Sequence, residues 1–229
     1  IFKTTITLPS RTDTQDISGQ ILSEKEVCVG EDDIRNAAAA FVGDYMQVPP
    51  MYSALKVNGK KLYELAREGK TVERKPRPVH FYEIEILDIS FPLVRFRVTC
   101  SKGTYIRTLC HDIGEKLGCG AAMESLLRTK VGRFTLDDAI TLAQTEEAVQ
   151  EGTIESKILG IEEILAEYPR VCCTKEGDRL LANGNPLVQA LVDAQEKNGW
   201  IRMCSSEGGF AGVYQWDEKR NRYFPVKMF

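Results

Sequence analysis

The chain has 229 residues, a net charge of −3 and seven cysteines, long enough for one large domain or for a larger and a smaller one, each with its own core. No apolar run reaches the roughly eighteen residues of a membrane span and no signal peptide opens the chain, so a soluble protein without membrane contact is expected. The small net charge argues against indiscriminate coating of nucleic acid, and the odd, scattered cysteines, at 28, 100, 110, 119, 172, 173 and 204 with no C-x-x-C pair, argue against a zinc site or a disulfide framework and fit buried thiols in a reducing cytoplasm.

Ile1 runs directly into a strand pattern. Phe2, Thr4, Ile6 and Leu8 alternate with Lys3, Thr5 and Thr7. A strand already under way at the first residue implies a missing N-terminal portion. Residues 11 to 19 read as a polar loop ending in Gly19. Glu31, Asp32 and Asp33 then suit the positive end of a helix whose apolar residues Ile34, Ala37, Ala38 and Phe41 share a face, with Gly43 as its left-handed stop. Gln47-Val-Pro-Pro50 continues no regular element, so Met51 to Lys61 is expected as a projecting loop carrying Tyr52, Ser53, Lys56, Asn58 and Lys60. A short helix from Tyr63 stops at Gly69.

Two extended runs follow, Val79 to Ile89 and Leu93 to Cys100. In the second, Val94, Phe96, Val98 and Cys100 alternate with Arg95, Arg97 and Thr99, as in an antiparallel strand with one wet face. Ser101-Lys-Gly103 makes a turn, and from Thr104 the residues Ile106, Leu109, Ile113 and Leu117 fall at helical spacing as far as Gly118. A helix near Ala121 to Arg128, a strand near Val131 to Leu136 and acidic helices up to Glu167 complete this part. Beyond Tyr168-Pro169 come a helix ending at Gly184 and a hairpin of Trp200 to Cys204 with Phe210 to Trp216, the texture of a small β-barrel.

Charge is unevenly spread. Between residues 54 and 78, Lys56, Lys60, Lys61, Arg67, Lys70, Arg74, Lys75 and Arg77 face three acids, whereas residues 137 to 167 hold nine acids against Lys157 alone. A basic run is commonly a solvated helix face, but here it surrounds a Pro- and Gly-punctuated loop, which favours phosphate binding. His80 and His111 are the only histidines and read as structural; no nucleophile elbow, P-loop or dinucleotide fingerprint is present. The turn with Lys102, Thr104, Tyr105 and Arg107 is the remaining candidate. Helix amides and an arginine meet there beside an aromatic ring, which suits an anion with a stacked base, the alternative being an ordinary helix start with a surface arginine.

The segments Gln47-Val-Pro-Pro-Met-Tyr-Ser-Ala-Leu-Lys56, Gly59 to Gly69, Ser101-Lys-Gly-Thr-Tyr-Ile-Arg-Thr-Leu109 and Gly114 to Gly120 resemble, in order and spacing, the TruB family of tRNA pseudouridine synthases. Arg11-Thr-Asp-Thr-Gln-Asp16 resembles a further motif of the family, and the tail ending in Phe229, with Ala-Asn-Gly184-Asn-Pro, resembles its PUA-type RNA-binding domain.

The resemblance implies conversion of the T-loop uridine of tRNA, at conventional position 55, to pseudouridine by base flipping and an aspartate nucleophile, without metal or cofactor. It makes Arg107 the partner of that aspartate, places Tyr105 and Leu126 at the uracil pocket and sets Phe2 where the family commonly has tyrosine, so that stacking is kept and the hydroxyl lost. It implies RNA contacts from Tyr52, Ser53, Lys56, Lys60, Lys61, Tyr63, Arg67 and Lys102. The family's nucleophile lies in a segment of the form G-T/A-L-D-P upstream of the first strand; no such segment occurs in these residues, and Asp13 and Asp16 belong to a different motif.

The expected architecture is therefore α+β: a mixed, mainly antiparallel sheet with flanking helices over residues 1 to 168, then a PUA-like β-barrel over 169 to 229. The expected partner is the T arm of tRNA, bound by a monomer through the loop from 51 to 78. A catalytically silent tRNA-binding module is the alternative, and a protein-interaction domain would leave the basic loop and the Thr-Tyr-Ile-Arg turn without a role.

Overall fold

The alternating first residues form β1 (Phe2–Thr7) in the computed structural model, which describes residues 1–24, 29–57, 59–193 and 196–229; Ile6 and Leu8 are buried and Lys3 is exposed. The polar loop after it is held between β2 (Ser10–Thr12) and β3 (Ile21–Glu24), an antiparallel pair. Cys28 and Asn58 lie outside the described residues.

Helix α1 (Glu31–Ala39) starts where Asp33 accepts the Gly30 amide at 2.9 Å, and it buries Ile34, Ala37 and Ala38. Its end differs from the expected stop at Gly43. The amides of Phe41 and Val42 close tight turns onto Ala38 and Ala39, and Gly43 instead opens β4 (Gly43–Gln47), a strand not predicted. Nor is the next stretch a plain loop: β5 (Lys56–Val57) and β6 (Lys60–Lys61) pair as a hairpin leading into α2 (Leu62–Arg67).

The two extended runs are β7 (Arg77–Ser90) and β8 (Leu93–Cys100), and α3 (Ile106–Leu117) ends on Gly118 in the left-handed region, φ 78°. The expected helix at 121 to 128 is a strand, β9 (Ala122–Arg128), because β1 offers it a full antiparallel partner, from Phe2 opposite Arg128 to Thr7 opposite Ala122. Backbone pairing outweighs the helix propensity of Ala-Met-Glu and Leu-Leu. The expected strand at 131 to 136 is a hairpin of β10 (Lys130–Val131) and β11 (Phe134–Thr135), turning at Gly132-Arg133.

These strands make a five-stranded sheet in the order β4-β7-β8-β1-β9, every pair antiparallel. Ile34, Ala38 and Phe41, with Ile106, Leu109 and Ile113 of α3, bury against Ile6, Phe81, Val94, Phe96 and Val98 of the sheet. Each large side chain so buried stabilises by about 1.5–3 kcal/mol. Gly114 lets α3 approach the turn before β9: a Cβ there would lie 2.1 Å from the Ala121 amide nitrogen. Tyr45 of β4 donates to the Asp112 carboxylate of α3 at 2.9 Å, and burial raises the Asp112 pKa despite that bond.

The chain divides into two units, Ile1–Ala139 and Ile140–Phe229. The acidic helices α4 (Leu142–Gln150) and α5 (Ile161–Ile164) belong to the second. There β12 (Arg170–Cys172), β13 (Leu187–Val188), β14 (Trp200–Cys204), β15 (Phe210–Asp217) and β16 (Arg222–Met228) form a mixed sheet, β12-β14-β15-β16-β13, whose β12–β14 pair is parallel, and α6 (Asp178–Ala182) lies between β12 and β13 in sequence. Tyr214 and Tyr223 are fully buried in its core with Leu181, Leu187, Ile201 and Met203. No helix among the described residues is long and apolar enough to cross a membrane.

Candidate active site

The start of α3 is fixed from outside the helix. Tyr105 is its N-cap, with extended backbone, and the buried Gln47 at the end of β4 clamps it twice, accepting the Tyr105 amide at 2.8 Å and donating to the Tyr105 carbonyl at 3.0 Å. That amide is therefore not available to an anion, as the sequence alone suggests it is. The turn before it is tied to β7, since His80 and Ser101 exchange hydrogen bonds and Thr104 Oγ1 donates to the Ser101 carbonyl at 2.9 Å.

In the first turn of α3, Arg107 spans two chain segments. Nη1 donates to Asp16 Oδ2 at 2.9 Å and Nη2 to the Tyr52 carbonyl at 2.7 Å, with the pair mostly shielded from solvent. Asp16 is held in turn by the Ser18 amide and hydroxyl and by Thr14 Oγ1. Burial works against its ionisation, but the bonds from Ser18, Arg107 and Thr14 outweigh it and hold the carboxyl below the usual Asp range. Gln15 beside it adopts φ 66°, unusual outside glycine, and is fixed by Thr108 Oγ1 donating to its side chain at 2.9 Å and by the Met123 amide donating to its carbonyl. The family resemblance implies for Arg107 an aspartate partner from a segment that these residues do not contain; in the structure the carboxylate beside it is Asp16 of the Arg11-to-Asp16 motif, which no local signal singles out.

The stacking candidates sit on β1 and β9. Phe2 is half-buried, with the Arg128 guanidinium 5.1 Å from its ring centre. Leu126 is exposed opposite Thr4, whose hydroxyl lies against Cys110 of α3, so Leu126 and Phe2 share the sheet face on which α3 rests. Phe2, Lys102, Thr104, Arg128 and Lys130 line a cavity of about 380 Å³.

The loop candidates divide. Tyr52 supplies its carbonyl to Arg107. Ser53 is buried and its hydroxyl has no partner among the described residues. Lys61 Nζ lies 3.1 Å from the Tyr63 hydroxyl, Arg67 lies over the Tyr63 ring at 5.4 Å, Lys60 faces Glu68 at 3.9 Å, and Lys56 is exposed. Among the described residues no group of three His, Cys, Asp or Glu side chains is placed to hold a metal ion.

Residues 1–106 match the family model for the N-terminal domain of TruB family pseudouridylate synthase, and residues 107–166 the model for the tRNA pseudouridylate synthase B C-terminal domain. The chain is 49% identical over 203 residues to tRNA pseudouridine synthase B of Lachnoclostridium phytofermentans, covering 82% of this chain and 66% of that protein. It is 45% identical over 214 residues to the protein of the same name from Clostridium novyi, covering 93% and 73%. The chain thus spans about two thirds of the length of such relatives. Among solved structures, an H/ACA RNP bound to a substrate RNA containing 2'-deoxyuridine shares the fold at a TM-score of 0.66 and 20% identity, over 100% of this chain and 65% of that one. A Cbf5-Nop10-Gar1 complex does so at 0.65 and 22%, over 99% and 65%.

Proposed function

Because the chain belongs to the TruB family of pseudouridylate synthases, we propose that its site serves the isomerisation of uridine 55, in the T loop of tRNA, to pseudouridine. The observation that carries this reading is Arg107, held at 2.9 Å from Asp16 and at 2.7 Å from the Tyr52 carbonyl. That geometry leaves a guanidinium fixed in place with donors to spare for a second carboxylate. The target base is flipped out of its stack. An aspartate carboxylate attacks ribose C1′ as the C1′–N1 bond breaks, the uracil ring turns, C5 bonds to C1′ as the aspartate departs, and the C5 proton is lost while N1 ends protonated.

In this reading Arg107 keeps the nucleophile ionised and aimed, Phe2 stacks on the uracil and Leu126 lines its pocket. Residues 51 to 78 grip the T arm, with Lys102 adding charge beside the site. Residues 1 to 168 are read as the catalytic part of a monomer, although α4 and α5 within them cluster with the second unit, and 169 to 229 as a PUA-like RNA-binding domain. The 229 residues contain no G-T/A-L-D-P segment to supply the nucleophile, which favours a second reading for this stretch alone: a tRNA grip without chemistry.

One experiment separates the two. The chain is expected to bind a T-arm minihelix and form no pseudouridine, whereas a version extended N-terminally by a G-T/A-L-D-P segment forms it. Turnover by the chain alone would falsify the missing-nucleophile reading, and an inactive extended version that binds normally would leave the silent module.

Tyr105 is assigned to the flipped uridine and not to the core. It lies partly exposed at the N-cap, while Ile106 and Leu109 beside it are buried. Its attachment to Gln47 uses only the backbone. In the extended version, Tyr105→Leu should therefore lower Tm by no more than a few degrees and slow single turnover by about tenfold or more. A large fall in Tm with a near-normal rate in the folded fraction would return Tyr105 to the core.

A further inference from the structure

The eight cations of residues 54 to 78 fall into two sets. Lys60 and Lys70 face Glu68, at 3.9 and 2.7 Å, while Lys61 and Arg67 gather on Tyr63. The other four, Lys56, Arg74, Lys75 and Arg77, make no ion pair among the described residues. All four line one cavity of about 320 Å³, where Glu73 is the single acid and Leu62 part of an apolar wall.

Arg74 is the anchored member. Its Nη1 donates to the Pro49 carbonyl at 3.2 Å, and its Nε is buried with no acceptor among the described residues. A guanidinium carries five donors in a fixed fork, so one carbonyl leaves most of it uncommitted. Four cations against one acid, with none of the four ion-paired among the described residues, select an anion. The planar fork suits the paired oxygens of a phosphodiester, and flexible lysines add charge without fixing direction.

We infer that this cavity seats one backbone phosphate of the RNA, with Arg74 as the fixed fork and Lys56, Lys75 and Arg77 around it. The inference rests on the tRNA reading above and sharpens it, because it moves the principal phosphate contact of the loop away from Lys60, which faces Glu68, and Lys61, whose ammonium is engaged by the Tyr63 hydroxyl and ring. An apolar wall beside the cations fits the ribose that accompanies each phosphate.

The test measures the Kd of the chain for a tRNA transcript between 50 and 200 mM salt. One lost phosphate contact removes about one unit of log-log slope, so affinity should fall about 3.5-fold less across that range. Arg74→Gln and the double variant Lys75→Ala/Arg77→Ala should each show this, with Kd at low salt raised several-fold. Lys60→Ala/Lys61→Ala should change the slope less. Lys75 and Arg77 are exposed, so the double variant decides the matter if Arg74→Gln fails to fold. Unchanged Kd and slope in Lys75→Ala/Arg77→Ala, with a loss in Lys60→Ala/Lys61→Ala, would overturn the pocket and keep the tRNA reading. No salt-dependent tRNA binding by the unsubstituted chain would overturn both. Saturable binding of inorganic phosphate, at constant ionic strength and without effect on tRNA affinity, would make the cavity a free-anion site and overturn the RNA assignment.

Discussion

Arg107→Ala, in a version carrying the nucleophile segment, should slow pseudouridine formation by about 10²–10³-fold while changing tRNA affinity only a few-fold. The magnitude is that of removing one preorganised charged donor from a reacting centre, roughly 2.7–4 kcal/mol. The side chain is committed at two of its nitrogens, to Asp16 and to the Tyr52 carbonyl, so its position does not depend on substrate. On the proposed reading, removing it would deprive the attacking carboxylate of its counter-charge just as the base is closed away from water, where that charge matters most. Arg107→Lys keeps the charge but cannot reach both partners with a single ammonium, and should fall between alanine and the unsubstituted protein. Single-turnover rates at saturating enzyme are the measurement. A near-normal rate for Arg107→Ala with folding intact would remove Arg107 from the chemistry.

How much of this was legible depended on how far apart in sequence the interacting groups lie. The alternation of residues 93 to 100 is a local property and became β8 at the predicted bounds; the spacing of Ile106, Leu109 and Ile113 likewise became the buried face of α3. β9 was missed because it carries no period-2 signal: at the sheet edge both Leu126 and Leu127 are exposed, and its strand state comes from pairing with β1 more than a hundred residues earlier. Gln47 stood in a recognised motif, yet its clamp on Tyr105 joins positions 58 apart. The Asp16–Arg107 pair joins positions 91 apart, and nothing local distinguishes Asp16 from Asp13. Asp13 instead takes the Gln20 amide and closes its own loop.

If the proposed reading holds, Asp16 positions Arg107, and Asp16→Asn should expose that in two ways. Asparagine still offers an oxygen to Arg107 but no charge, and a charge-assisted bond is about twice as strong as a neutral one. A guanidinium less firmly held should cost about 10- to 100-fold in rate in the extended version, less than losing Arg107 itself. If Asp16 works only through Arg107, Asp16→Asn should add little to Arg107→Ala, so the double variant departs from additivity by about 1–3 kcal/mol. The second sign is in stability and can be read on the 229-residue chain. The folded carboxyl of Asp16 lies below its ordinary value. Its contribution is therefore complete above the unfolded pKa, roughly 3.9, and is lost as pH falls through the lower folded value. Asp16→Asn should melt below the unsubstituted chain at pH 7, with the gap in Tm narrowing as the pH is taken under about 4. A constant gap across that range, together with additive rate effects, would show that the ion pair neither stabilises this loop nor holds Arg107 for the reaction.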